Sequence, residues 1–358
     1  MRDGRLRPPA LGAEHASGPF LTPTDPPEGC GAILKTDATG TCAFFDRRAG
    51  NLCAIQQHLG HDHLPSACRH FPRVCLIDSR GLFVTLSHYC PTVAGALFDE
   101  ATRLGIVSEP AVLRSGAVYE GLDARGAFPP LLRPNLLMDL GSYDLFERYM
   151  VRTLAREDLS PEAALQRLAF TAEDVRYWTV GEMSLVEHVR GAIDVGDTLG
   201  RDLGCPEPTA AMLASLFAEV TSSVSSGLRR PEAAPNLDDV YRSFVRPAWA
   251  GFRRPVSRYL AAKGFANWLA YQGHGVRTTV FSMAVALAVL KVEAARQSAR
   301  AGRALDRDLL LEAFRAADLL LVHLASREEL ARRLGAVETK PAVEFLAATG
   351  LVRNPASP

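Results

Sequence analysis

RTTVFSMAVALAVLKVEAARQSAR, residues 277–300, is the stretch on which the architecture turns. Phe281, Val285, Ala288 and Val289 recur at helical spacing, while Met283, Leu287 and Leu290 cover the other side. A helix that is apolar all round has to be enclosed by others, so this one is expected at the centre of a helical body. Leu309, Leu310, Ala313, Ala317, Leu320, Leu321 and Leu324 form the stripe expected to pack against it. Outward from there, periodicity predicts helices near 143–156, 161–168, 172–177, 184–199, 209–228, 237–244, 255–271, 306–324, 327–334 and 341–349. Ser160-Pro161-Glu162 and Asp306 read as helix starts, and Gly273, Gly275, Gly335 and Gly350 as stops. The expected fold class is mostly α: a multi-helix body carrying a small irregular cysteine-cluster module with short β-strands.

The whole chain of 358 residues is 47% hydrophobic and 22% charged, with 40 basic and 40 acidic side chains. That composition supports a sizeable core. A balanced charge argues against a nucleic-acid binder held by phosphate neutralisation. The uncharged run Thr278–Leu290 has 13 residues, short of the ~20 a membrane span needs, so no membrane partner is expected. The first 20 residues contain no apolar signal-peptide core, and a cytoplasmic location is expected. The expected organisation is a flexible Pro-rich lead over 1–29, a cysteine-cluster module over 30–98, an extended crossing segment over 99–140 and a helical domain over 141–352.

Six of the seven cysteines, Cys30, Cys42, Cys53, Cys68, Cys75 and Cys90, lie in one 61-residue window. Their odd total, the length of the chain and the expected reducing compartment disfavour a disulfide framework, leaving a metal or iron–sulfur centre as the leading reading. Ten, fourteen and twenty-one residues separate Cys42, Cys53, Cys68 and Cys90 in turn. Zinc ribbons take paired ligands about two to four residues apart, and no such pair exists here. Each of the four does sit at a break in the chain, where turns let thiolates converge. Cys75, in an apolar run, reads as core, and Cys205 as incidental. His58, His61 and His63 read as solvated loop.

The run Cys42-Ala-Phe-Phe-Asp46, then Cys53-Ala-Ile-Gln56 with Leu59-Gly60, then Leu64-Pro65 with Cys68-Arg-His-Phe-Pro-Arg73, then Leu86-Ser-His-Tyr-Cys-Pro91, resembles the cysteine-rich segment of the flagellin lysine N-methylase family. That family is grouped with bacterial zinc- or iron-chelating cysteine-cluster proteins. The resemblance covers roughly residues 32–98 and is looser beyond. It implies Cys42, Cys53, Cys68 and Cys90 as ligands of a [4Fe-4S] cluster, with zinc as the alternative. It also implies methyl transfer from S-adenosylmethionine to lysine of a protein substrate, flagellin being the namesake. The chain departs from the family in having only Cys30 where an earlier paired Cys-Cys is usual.

Four thiolates around a cubane cluster carry net negative charge and need nearby donors. Arg69 and Arg73, spaced four apart, can supply them, or can pair with Asp46 or Asp62 instead. His70 and His88 are placed to hydrogen-bond a ligand sulfur. Neither a strand followed by a GxGxxG loop nor a CxxxCxxC loop is present, so a Rossmann-type methyltransferase and a radical enzyme are both disfavoured. Two alternatives to an enzyme stand: a non-enzymatic module in which the metal fixes a protein-binding surface, and a redox carrier.

Overall fold

The computed structural model describes residues 18–22, 32–36, 41–47, 50, 52–101, 103–108, 119–199, 206–225, 228, 230–234 and 236–350. Cys30, Cys205 and most of the Pro-rich lead lie outside the described residues. The chain divides into two compact units, 1–71 and 72–358. The segment 30–98, expected to be one module, therefore contributes to both.

In the first unit, β1 (Phe20–Leu21) pairs antiparallel with β2 (Ile33–Leu34), and β3 (Phe45–Asp46) with β4 (Leu52–Cys53). Two short helices follow, α1 (Ala54–Leu59) and α2 (Ser66–His70). Gly60, at φ 87°, ends the first, and Pro65 precedes the second. Phe44, Ala43, Ala54, Ile55 and Leu64 form the buried cluster, with Cys42 and Cys53 packed against it.

The second unit opens with a hairpin of β5 (Arg73–Asp78) and β6 (Gly81–Leu86), and β7 (Gly121–Asp123) adds parallel to β5. A Cβ at Gly121 would lie 2.1 Å from the Cys75 carbonyl oxygen, so only glycine permits this approach. Cys75 and Leu76 are fully buried, agreeing with the reading of Cys75 as core. The pairing with β7 explains why the division falls before β5. Helix α3 (Pro91–Ala96) follows the hairpin, and β8 (Leu131–Arg133) and β9 (Leu136–Leu137) form a small hairpin inside the segment read as extended.

Helices make up most of the rest, as expected. They are α4 (Leu140–Leu154), α5 (Pro161–Arg176), α6 (Leu185–Thr198), α7 (Ala210–Ser222), α8 (Leu237–Val240), α9 (Arg246–Trp249), α10 (Arg253–Gly264), α11 (Leu269–Gln272), α12 (Val276–Ala301), α13 (Arg307–Asp318), α14 (Arg327–Leu334) and α15 (Ala342–Ala348). Side-chain caps from Asp139, Ser160, Ser184, Thr209, Asp306 and Ser326 satisfy first-turn N–H groups. The two helices expected at 161–168 and 172–177 are one, because Phe170 and Thr171 continue the turn without a breaker. Conversely, the helix expected over 255–271 breaks at Ala266, whose φ of 52° is held by its N–H donating to Glu147 Oε1 at 3.1 Å.

The central helix is α12, and α5, α7, α10, α13 and α14 all pack against it. By length and composition it could cross a membrane, yet its most apolar window is wholly buried within the protein. Several of its buried polar groups have specific partners. The Glu338 carboxylate accepts from the Thr278 N–H at 2.8 Å, and Lys291 pairs with Glu162 at 2.8 Å beneath the Trp249 ring. Arg277, 2% exposed, forks onto Glu173 and donates to the carbonyl of Lys340 at 2.6 Å. Removing one partner of such a pair strands the other's charge, so Arg277→Met is expected to lower stability by about 3–5 kcal/mol in urea unfolding.

Candidate functional site

Three of the four expected ligand cysteines, Cys42, Cys53 and Cys68, lie in the first unit. Cys42 bridges to Thr36, and its sulfur accepts from the Phe44 N–H at 3.5 Å. Cys53 ends β4 opposite Phe45 and sits at the N-cap position of α1 without capping it. Cys68 lies on α2. Burial pushes the Cys68 thiol up, and the charges of Cys42 and Cys53 push it further. Three elements distant in sequence thus bring Cys42 and Cys53 within electrostatic reach of Cys68. All five described cysteines are unlinked.

The donor set suits a thiophilic metal in kind. Among the described residues, however, no group of three or more His, Cys, Asp or Glu side chains is gathered so as to hold an ion. Arg69 and His70 follow Cys68 on α2, and both are engaged by other groups. His58, His61 and His63 are exposed, as a solvated loop requires.

The other predicted residues, Arg73, His88 and Cys90, belong to the second unit. Arg73 opens β5 opposite Leu86, and its charge acts on Cys75. His88 is 3% exposed and joins a buried charged cluster centred on Asp318, the last residue of α13. The Asp318 carboxylate accepts from the Ser87 hydroxyl at 2.9 Å and from the His88 N–H at 2.6 Å, and it pairs with Lys263 of α10. His323 Nε2 lies 2.8 Å from the Ser87 hydroxyl. Burial first, then the Lys263 charge, drives His88 down to about 3 against the pull of Asp318, so its ring is neutral. Burial alone would raise the Asp318 carboxyl, but Lys263 and its other donors hold it below the usual range. Arg315, one turn earlier on α13, donates to the Tyr89 carbonyl at 3.2 Å. The end of α13 therefore pins the loop 87–89 that presents Cys90 at the N-cap position of α3.

Two cavities adjoin this cluster within the second unit. One of about 320 Å³ is lined by His88 and Arg258 amid apolar side chains, and another of about 100 Å³ by Lys263, Trp268 and Arg327. The sequence reading passed over Lys263, Asp318 and Arg327. The available signal was Asp318 itself, an ionisable residue set between Ala317 and the apolar run Leu319–Val322. Compared with known proteins, the chain matches no family model, no curated protein and no solved structure.

Ser87, His88, Tyr259 and Lys263 all donate to the Asp318 carboxylate, so its role is positional. Its folded acidity lies below the unfolded value, so its stabilisation is complete above about pH 4 and is lost as pH falls further. Asp318→Asn, which leaves Lys263 unpaired, is expected to cost about 3–5 kcal/mol at pH 7. It should also flatten the acid-side loss below about pH 4 in urea titrations across pH.

Proposed function

We propose that the first unit is a metal-binding cysteine module, with Cys42, Cys53 and Cys68 as ligands and a [4Fe-4S] cluster, or zinc in its place, as the group held. The observation that carries this reading is that Cys42 and Cys53, from separate elements, both lie within electrostatic reach of Cys68. The packing of Cys42 and Cys53 against one buried cluster supports it as well. On this reading the metal draws the thiols into a closed ligand sphere and displaces their protons, so affinity rises with pH. Cys90 enters as a ligand on the sequence alone. Arg69 and His70, beside Cys68, are the candidates for donors to ligand sulfur.

The resemblance extends the proposal to an enzyme: S-adenosylmethionine-dependent methyl transfer to lysine of flagellin or another protein. That step rests on the ordered cysteine motifs and requires a neutral lysine amine held in line with the sulfonium methyl. If S-adenosylmethionine at saturation leaves the melting temperature unchanged, the non-enzymatic module becomes the better reading.

Metal analysis of anaerobically purified protein and of single serine variants tests the ligand set. About four irons and four sulfides per chain are expected for a cubane, or one zinc without sulfide. Cys42→Ser, Cys53→Ser, Cys68→Ser and Cys90→Ser should each lose the metal, while Cys75→Ser, at a fully buried strand position, should keep it. Full retention in two of the first three would overturn the proposal.

A further inference from the structure

The loop joining α5 to α6, residues 177–183, is fixed at several points and still turns large apolar side chains to water. Trp178 packs on the helical core, and its Nε1 donates to the Met183 carbonyl at 2.9 Å, closing the loop on itself. Arg133 of β8 donates through Nη1 to the carbonyls of Arg176 and Trp178 at 2.6 and 3.1 Å. His188 Nε2 lies 2.8 Å from the Asp174 carbonyl, which ties the start of α6 to the end of α5. Gly181, at φ 101°, permits the turn between these anchors. On this frame Tyr177, Val180 and Met183 are 65, 76 and 51% exposed. A single exposed apolar side chain is ordinary, but a set of them on one braced loop is a patch that a partner can cover with little further ordering.

The charges around the patch decide what suits it. Asp174 and Glu182 are exposed and have no ion-pair partner among the described residues. The neighbouring cations are engaged. Arg133 sits on two carbonyls at the end of α5, where its charge opposes the helix dipole. Arg176 meets Glu338, and the Arg190 charge acts on Glu187, whose carboxylate caps α6 with Ser184. Two carboxylates are left beside the apolar side chains. A second copy of the chain would bring the same carboxylates to a two-fold contact, and an anionic bilayer or a nucleic acid would meet them with like charge. A segment carrying both lysine and apolar side chains is complementary: its ammonium groups face the carboxylates and the Tyr177 ring, and its hydrocarbon covers Val180 and Met183.

We propose that residues 174–183 form a docking surface for a lysine-bearing apolar segment of another protein, with Tyr177, Val180 and Met183 as the apolar contacts and Asp174 and Glu182 as the charged ones. The surface lies wholly in the second unit and does not rest on the metal reading.

Fluorescence anisotropy of the full chain with labelled peptides of equal length tests this: one alternating lysine and leucine, one with glutamate in place of lysine, and one with serine in place of leucine. The lysine–leucine peptide is expected to bind with a Kd below about 1 mM, and the other two at least ~10-fold more weakly. The double variant Tyr177→Ser with Val180→Ser should weaken binding ~10-fold. Asp174→Asn with Glu182→Gln should weaken it ~3-fold and flatten the loss of binding as salt rises. All four positions are exposed, so the wild-type melting temperature is expected in both variants, and the peptide comparison on the wild type stands apart from them. No binding of the lysine–leucine peptide at about 1 mM overturns the proposal. So does equal binding of either control peptide, or unchanged affinity in the Tyr177 and Val180 variant. A concentration-dependent dimer that the same double substitution disperses would assign the patch to a second copy and overturns it too.

Discussion

A helix with no polar face cannot lie on a surface, and α12 has none. From Val276 to Ala295 every side chain is buried, whether apolar, hydroxyl-bearing or charged. Each Val, Leu or Phe so enclosed contributes roughly 1.5–3 kcal/mol. That gain is available only if neighbours surround the helix on all sides, and α5, α7, α10, α13 and α14 do so. The second unit is arranged around this requirement, and the local caps then fix where each surrounding helix begins.

Enclosure has a cost, because charged residues in and around α12 are taken from water. The protein meets it with specific partners: Glu173 and backbone carbonyls for Arg277, Glu162 for Lys291, and the Lys263, Ser87 and His88 donors for Asp318. The last of these links the helical packing to the cysteine motif. Asp318 ends a helix that packs on α12, and the same carboxylate holds Ser87 and His88, two residues from Cys90. Core packing and the placement of a motif cysteine thus share one side chain.

The periodicity of residues 277–300 was sufficient to place the central helix, because an all-round apolar pattern has few other resting places. Helix ends were legible where a Ser, Thr or Asp cap precedes the pattern, as at Ser160 and Asp306. The break at Ala266 was not, since the left-handed backbone there depends on Glu147, more than a hundred residues away in sequence. The division before β5 was hidden for a similar reason: pairing with Gly121–Asp123 ties the strand to the second unit. Cys42, Cys53, Cys68 and Cys90 were singled out by their positions at turns and by the resemblance; the first three lie in the first unit, where Cys42 and Cys53 act on Cys68, and Cys90 lies in the second. The role of His88 was misread as outer support for a sulfur, because its burial beside Lys263 and Asp318 comes from tertiary contacts that no local motif reports.

The first unit differs from the second in what its described residues hold together. Among its described residues, five buried side chains form a cluster on which Cys42 and Cys53 pack, and the charges of those two cysteines oppose the ionisation of Cys68. On the proposed reading, a bound metal would relieve that opposition by replacing thiol protons with a shared cation. X-ray absorption at the iron and zinc edges of the anaerobically purified protein tests this account most directly. It predicts a first shell dominated by sulfur at about 2.3 Å. A metal-free protein with its first unit folded, or a first shell of oxygen and nitrogen alone, would contradict it.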